Sequence, residues 1–503
     1  MRRPVIASLA CLALLTGYGA ADVLDVVPGV LTRTTSTPLP EPTGSATGPA
    51  PTWTPLPAAG GGDRVLADLP AAAPLPTTKG LRAALRAALA DPSLGPSVGV
   101  SVRDARTGVE LFGVGQDTPR VVASTAKLLT AAVVGQILDL RATMATRVVR
   151  GSAGELVLVA GGDTLLARGA GDPDAAAGRA GIGDLADEVA AALRRRPSST
   201  ITGTPGAESP GATPTEPGSD QARWTLRLDS TYAAGAKYPP GWNPADVAAG
   251  YTQGVTMLGF ADDRPEAGRP SPPDPDGAVL KALGAALEKR GLTVRVEDSD
   301  AAREIPAPAD GAVVGEVRSA AYADVLAEAL DRSDNALTEN LARQANVRQG
   351  GDGSFPATAD MVTDGLRTLG FDLRGTRLVD TSGLSKGQTT TVALISAVMA
   401  EALAGRLPGL ADELGRLPVA GLDGTLSDRY LTGPAAAAAG IARAKTGTLT
   451  GASGLAGTTV TADDRELTFV IVADAVPPAS GTLAARAALD RFVAALTRCG
   501  CGT

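Results

Sequence analysis

Strand-like runs stand at both ends of this chain, and that placement limits the folds open to it. SVGVSVRD (97–104) and GVELFGVG (108–115), joined through the turn Arg106-Thr107-Gly108, read as a hairpin. Far downstream, the runs around IARAKTGT (441–448), GASGLAGTTV (451–460) and LTFVIVAD (467–474) read as further strands. A helix over Leu81–Ala90 precedes the first set, and another near Thr482–Leu496 closes the chain. Helix, antiparallel strands and closing helix make an α+β layer fold only if the first and last segments pack together.

The middle of the chain carries other elements. A helix starts near Ser124, and the short runs RVVRG (147–151), ELVLVAGG (155–162) and WTLRLDST (224–231) are strand-like. AVLKALGAALEKRG (278–291) reads as a helix leading into LTVRVED (292–298), and helices are expected near Tyr322–Leu330 and over 391–404. No internal repeat is present. Three stretches lack the apolar residues to repay their ordering: 32–62, 197–219 and 263–277. The first reads as a tether, the second as a surface insertion, and the third, with RPSPPDPDG, as a loop. Ahead of the tether, Arg2 and Arg3 precede an apolar core at Val5–Leu15 and a small-residue exit at Gly17, Gly19, Ala20 and Ala21. That is the pattern of a secretory signal peptide, too short to span a bilayer comfortably; a retained anchor is the alternative. The expected product is exported to the cell envelope.

The chain of 503 residues contains no histidine, which removes whole classes of chemistry. A Ser-His-Asp or Cys-His pair cannot form, nor can a His-ligated zinc site. A hydroxyl nucleophile must then be activated by lysine, a carboxylate or another hydroxyl. Lysine is itself scarce, seven against 46 Lys+Arg in total. The net charge of −8 gives no electrostatic case for a nucleic-acid partner. Cys499 and Cys501 could pair in an exported protein, but the loop they would close is too short to stabilise a fold much. With two thiols there and no histidine, neither a metal nor any other cofactor is expected.

Against that background VVASTAKLLTAAVV (121–134) acquires interest. On a helix Ser124 and Lys127 share a face, so Oγ and Nζ can meet; a capping serine and a solvated lysine fit the same spacing. Two more segments carry the right groups: Ser333-Asp334-Asn335, 209 residues on (333 − 124), and Lys445-Thr446-Gly447-Thr448, a further 112 (445 − 333). Two of the seven lysines thus occupy positions beside hydroxyls in strand- or helix-forming contexts.

S-x-x-K, S-D-N and K-T-G in this order resemble the signatures of the penicillin-recognising serine enzymes. The long first gap resembles the class C low-molecular-mass penicillin-binding proteins, the D-alanyl-D-alanine carboxypeptidase/endopeptidase family. AGGDTLL (160–166), SDNALTENLAR (333–343), DTSGLSKGQTTT (380–391), LPVAGLDGTLSDR (417–429) and AKTGTLTGASGLAG (444–457) match it too. AGGDTLL departs from the family's usual G-D-P-T/S-L, and Lys386 stands where arginine is common. The resemblance runs from about Leu81 to the end. It implies a penicillin-binding-protein/β-lactamase-like transpeptidase domain, an antiparallel sheet with helices, split by an inserted β-rich region. The boundaries expected are 1–21 signal peptide, 22–64 tether, 65–146 and 313–503 catalytic domain, and 147–312 insertion.

The resemblance also implies roles. Ser124 would be the nucleophile and Lys127 its base, neutral enough through burial and through repulsion from Lys445. Ser333 would relay a proton to the leaving amine, and Asn335 would hold Lys127 or the substrate amide. Lys445, Thr446, Gly447 and Thr448 would bind the terminal carboxylate, with an oxyanion hole from the N–H groups of Ser124 and Thr448. Peptidoglycan stem peptides are the implied substrate and β-lactams the implied acylating inhibitors. Asp380-Thr381-Ser382-Gly383 and Asp423-Gly424-Thr425 read as supporting turns, Glu339 as a helix pair or a loop-orienting group, and Trp53, Trp224 and Trp242 as too scattered for a carbohydrate platform. A β-lactamase or esterase on the same scaffold, and a wall-binding protein with a dead site, stay open as other functions. Oligomeric state is not written in the sequence.

Overall fold

The computed structural model describes residues 73–195 and 223–501, all within one compact unit, Leu69–Thr503. The signal peptide and tether expected at 1–64 and the surface insertion at 197–219 lie outside the described residues. Among the described residues ten strands form two sheets: β1 (Val98–Asp104), β2 (Glu110–Val114), β3 (Thr143–Arg150), β4 (Glu155–Val159), β5 (Arg223–Asp229), β6 (Thr293–Glu297), β7 (Val313–Ala321), β8 (Arg443–Leu449), β9 (Ala452–Val460) and β10 (Glu466–Ala473).

β10 explains the first sheet. Its sequence ELTFVIVA is almost continuously apolar and almost wholly buried, as a central strand covered on both faces must be. It pairs antiparallel with β1 on one side and β9 on the other, and the full order is β2-β1-β10-β9-β8. One face carries the helices Thr78–Leu89 and Gly481–Thr497, whose Leu81, Leu85, Leu489, Phe492 and Val493 pack on Val100, Leu455 and Phe469. The segment before the first helix is tied to the closing one: Thr77 N–H donates to Cys501 O at 2.8 Å, and Cys499 and Cys501 form a disulfide. The other face carries the helices Lys127–Ile137, Tyr322–Asp331, Asn335–Arg348, Phe355–Thr368, Val392–Leu403 and Pro408–Leu414 in a second core. Helices, sheet and helices give three layers.

The second sheet has the order β6-β5-β4-β3-β7, with β4-β5-β6 parallel and the β3 pairings antiparallel. Its core includes the helices Ile182–Arg194 and Pro275–Glu288, packed through Leu185, Val189, Leu280 and Leu283. The region is therefore mixed α/β, where the sequence suggested a β-rich insertion. The sheet also begins at Thr143 and ends at Ala321, so it reaches past the expected 147–312 limits on both sides. The reason is local: β7, VVGEVRSAA, is half exposed and alternates poorly, leaving little strand signal. The expected loop at 263–277 also gives way to helix from Pro275.

Candidate active site

Ser124 sits in a 3-10 turn, Ala123–Ala126, that runs directly into helix Lys127–Ile137. Ala123 adopts φ 50°, a left-handed conformation uncommon for alanine, so the surrounding structure must hold this turn in place. The helix KLLTAAVVGQI is apolar almost throughout and buries Lys127 at 0% exposure. A buried ammonium needs partners, and Lys127 Nζ has three: Ser124 Oγ at 2.9 Å, Asn335 Oδ1 at 2.6 Å and Ser382 O at 2.6 Å. Burial pulls the lysine down to about 8, against the carboxylates of Asp380, Glu339 and Asp334, which favour its charge. Repulsion between the two lysines, expected at Lys127, is felt at Lys445.

The second segment arrives on a sharp corner. Ser333 has φ 55°, and Asp334 caps helix Asn335–Arg348 by accepting from Leu337 N–H at 2.9 Å. Arg264 of the inserted region binds the same carboxylate through Nε at 2.7 Å and through Nη2. Asn335 thus becomes the first helical residue, with its side chain held from both ends: Oδ1 accepts from Lys127, and Nδ2 donates to Tyr251 O at 3.0 Å. Ser333 is part-exposed and, among the described residues, its hydroxyl takes no part in the Lys127 cluster. A cavity of about 730 Å³ opens beside Ser333, Asp334 and Asn335, walled by Tyr251, Arg264 and Glu266 of the inserted region.

The third segment is β8, the edge strand of the first sheet, which packs against the Ser124 turn. Gly447 permits that approach, since a Cβ there would lie 2.8 Å from Val122 O. Ala444 N–H donates off the sheet edge to Pro418 O at 3.0 Å. By the two-residue period of a strand, the N–H groups of Thr446 and Thr448 face the same edge. Thr448 is exposed there, and Thr446 Oγ1 donates to Thr425 Oγ1 at 3.0 Å. Lys445 is fully buried and donates to Thr446 O at 2.8 Å. Burial first, then repulsion from Lys127, hold its ammonium well below the usual range, with Asp331 opposing.

Lys127 therefore joins Ser124 and Asn335 by direct hydrogen bonds, β8 lies against the Ser124 turn, and Ser333 stands at the neighbouring cavity. The sequence did not anticipate the Ser382 carbonyl, and could not, because every residue carries one. It belongs to the turn Asp380-Thr381-Ser382-Gly383, which Glu339 and Asp380 hold in place. Gly383, at φ 87°, brings that turn against Ala123 O, where a Cβ would sit at 2.2 Å. Trp242 donates from Nε1 to Asp380 Oδ2 at 2.9 Å. Among the described residues no three His, Cys, Asp or Glu side chains gather as a metal ion requires.

Comparison with known proteins places the fold. The chain is 34% identical over 439 residues to "Carboxypeptidase DacB" of Mycolicibacterium smegmatis, covering 86% of each chain. Penicillin binding protein 4 (dacB) of Haemophilus influenzae shares the fold at TM-score 0.61 and 16% identity, over 83% of this chain and 98% of that one. The same protein complexed with a β-lactam superposes at TM-score 0.53 and 18% identity, over 82% and 97%. The family model for D-Ala-D-Ala carboxypeptidase 3 (S13) matches residues 81–261 and 266–496, and this chain belongs to that family.

Proposed function

We propose that this chain is an exported serine D-Ala-D-Ala carboxypeptidase with D,D-endopeptidase capacity, acting on peptidoglycan stem peptides, in which Ser124 is the nucleophile and Lys127 its base. The observation that carries the assignment is the three-way bonding of Lys127. As an ammonium it spends all three protons on Ser124, Asn335 and Ser382. As an amine it keeps two N–H bonds, to Asn335 Oδ1 and Ser382 O, and its lone pair is left facing the Ser124 hydroxyl. Deprotonation thus converts a hydrogen-bond donor into a base with no heavy atom moved, the Ser124 hydroxyl hydrogen turning toward Nζ, and a lysine lowered to about 8 is unprotonated in an appreciable fraction at neutral pH.

The reaction follows. Ser124 Oγ attacks the carbonyl carbon of the penultimate D-alanine while its proton passes to Lys127. The oxyanion lies at the open edge of β8, where the Thr448 N–H points; a donor of this kind is worth about 3–4 kcal/mol to the transition state. As the C–N bond breaks, Ser333 relays to the departing amine the proton that Lys127 has taken, leaving the acyl-enzyme and a neutral Lys127. Water then attacks the ester, giving one proton to Lys127, which returns it to Ser124 Oγ as the acyl group leaves. The hydroxyls of Thr446 and Thr448 receive the terminal carboxylate, and Lys445 behind them regains its proton as that negative charge arrives. Family membership and the similarity to a β-lactam-binding fold support this reading.

Labelling with a fluorescent penicillin, with Ser124→Ala as control, tests it. A stable label on the natural chain, its loss in S124A, and D-alanine released from a pentapeptide are the expected results. A cross-linked muropeptide offered in parallel measures the endopeptidase share. No label would favour a wall-binding role, and rapid loss of label with hydrolysis of the drug would favour a β-lactamase.

A further inference from the structure

Two carboxylates are buried under one turn beside the proposed base, and cations do not hold them. Glu339 lies one helical turn beyond Asn335 on the same face of helix Asn335–Arg348, at 1% exposure. Its Oε1 accepts from Thr381 N–H at 2.9 Å and Ser382 N–H at 2.8 Å, and its Oε2 accepts from the Thr381 hydroxyl at 2.7 Å. Asp380 accepts from Gly383 N–H at 2.8 Å, Ser385 N–H at 2.6 Å and Gln388 Nε2 at 2.9 Å. Every one of these donors is neutral. Burying two such charges without a cation bonded to either is unfavourable, and neutral side chains could cap the same turn. The charge therefore has a further consequence, and Lys127 feels it, bonded to the carbonyl of the very residue whose N–H Glu339 holds.

Resting on the assignment of Ser124 and Lys127 above, we infer that Glu339 is a positioning residue for acylation: it fixes the Ser382 carbonyl that orients the Lys127 amine, and its negative charge restrains that amine from giving up its proton. The groups facing it are Lys127 from helix Lys127–Ile137, Asp380 from the turn, and Arg343 one turn along its own helix. Burial first and Asp380 second push the Glu339 carboxyl up to about 7, so its charge changes in the range where the enzyme would work. Protonation leaves both peptide N–H bonds on Oε1 intact and turns Oε2 into a donor to Thr381 Oγ1. The turn keeps its shape while the charge near Lys127 disappears.

Glu339→Gln reproduces that uncharged state, and Glu339→Ala removes the clamp. The probe is a carboxylate-free fluorophosphonate, whose second-order rate of labelling at Ser124 is followed from pH 6 to 10 alongside thermal unfolding. In E339Q the midpoint of the rate profile is expected to move down by about one pH unit with the plateau held within about twofold. In E339A the plateau is expected to fall by about tenfold or more, because the amine loses its fixed direction. A purely structural Glu339 would lower the unfolding temperature but leave the E339Q midpoint where it is in the natural chain, and that result overturns the inference. Should E339A fail to fold, the E339Q midpoint decides alone. A natural chain that labels no better than S124A overturns the nucleophile assignment and this inference with it; a labelled natural chain with an unmoved E339Q midpoint overturns the inference only.

Discussion

The proposed base makes a quantitative demand on the pH dependence of Ser124 reactivity. An ordinary lysine titrates near 10.5, and the burial of Lys127 brings it to about 8. That difference corresponds to about 3 kcal/mol of penalty on the buried ammonium, after the opposing pull of Asp380, Glu339 and Asp334. A lysine is neutral above its pKa, so the rate rises with pH. The unprotonated fraction is about a tenth at pH 7, half at pH 8 and about nine-tenths at pH 9. The labelling rate should therefore grow about fivefold from pH 7 to 8 and only about twofold from pH 8 to 10. A lysine left near 10.5 would give a rise of about tenfold for each unit across the whole span from 7 to 9. The fluorophosphonate suits this measurement because a penicillin carries a carboxylate, and its binding would also report the titration of Lys445. Stopped-flow labelling between pH 6 and 10, corrected with S124A, reads the profile. A continued tenfold climb through pH 9 would refute the claim that burial prepares Lys127 as a base.

Other outcomes follow from specific contacts. Gly447→Ala places a Cβ 2.8 Å from Val122 O and must push β8 off the Ser124 turn; a stability loss of about 1–3 kcal/mol and a fall in labelling are expected, checked by thermal unfolding and the probe above. Lys445→Ala should lower kcat/KM more for a pentapeptide with a free terminal carboxylate than for its amide; equal losses on both would remove the carboxylate role. Arg465 binds Asp104 through Nε at 2.5 Å and Nη2 at 2.7 Å, joining the first sheet to the segment at Ala73. Arg465→Met should cost about 3–5 kcal/mol in chemical denaturation at pH 7 by leaving the Asp104 carboxylate buried without its cation. Burial opposes ionisation of Asp104, yet the bonds from Arg465 and Thr107 win and hold its carboxyl below the usual range. Its contribution is present above the ordinary carboxylate pKa and is lost as pH falls through the lower folded value, so the gap between the two proteins should narrow in acid.

How much of this was legible in the chain depends on what each part consists of. The hairpin at 97–115 and the run LTFVIVAD could be read because strand patterns and turn residues are local. Helix Asn335–Arg348 could not, since NALTENLARQANVR looks like a surface segment and is nonetheless almost entirely buried. Its polar groups satisfy partners from elsewhere in the chain: Asn340 Nδ2 donates to Thr256 O at 2.7 Å and Gln344 Oε1 accepts from Tyr322 at 2.7 Å. Those partners, some of them in the inserted region, have no sequence signal of their own.

Side-chain identity alone settled which reactions were open. A chain without histidine that carries Ser124, Lys127, Ser333, Asn335 and Lys445 in three recognisable contexts leaves a lysine, a carboxylate or another hydroxyl to activate its nucleophile, because reactivity belongs to functional groups and those are spelled residue by residue. Tertiary structure decided whether that amine could act. Lys127 becomes a candidate base only because a core closes around it, a backbone carbonyl from residue 382 and an amide from residue 335 take two of its protons, and Ser124 is left with the third. Burial and direction arise from segments hundreds of residues apart meeting in space, and no local pattern encodes that meeting.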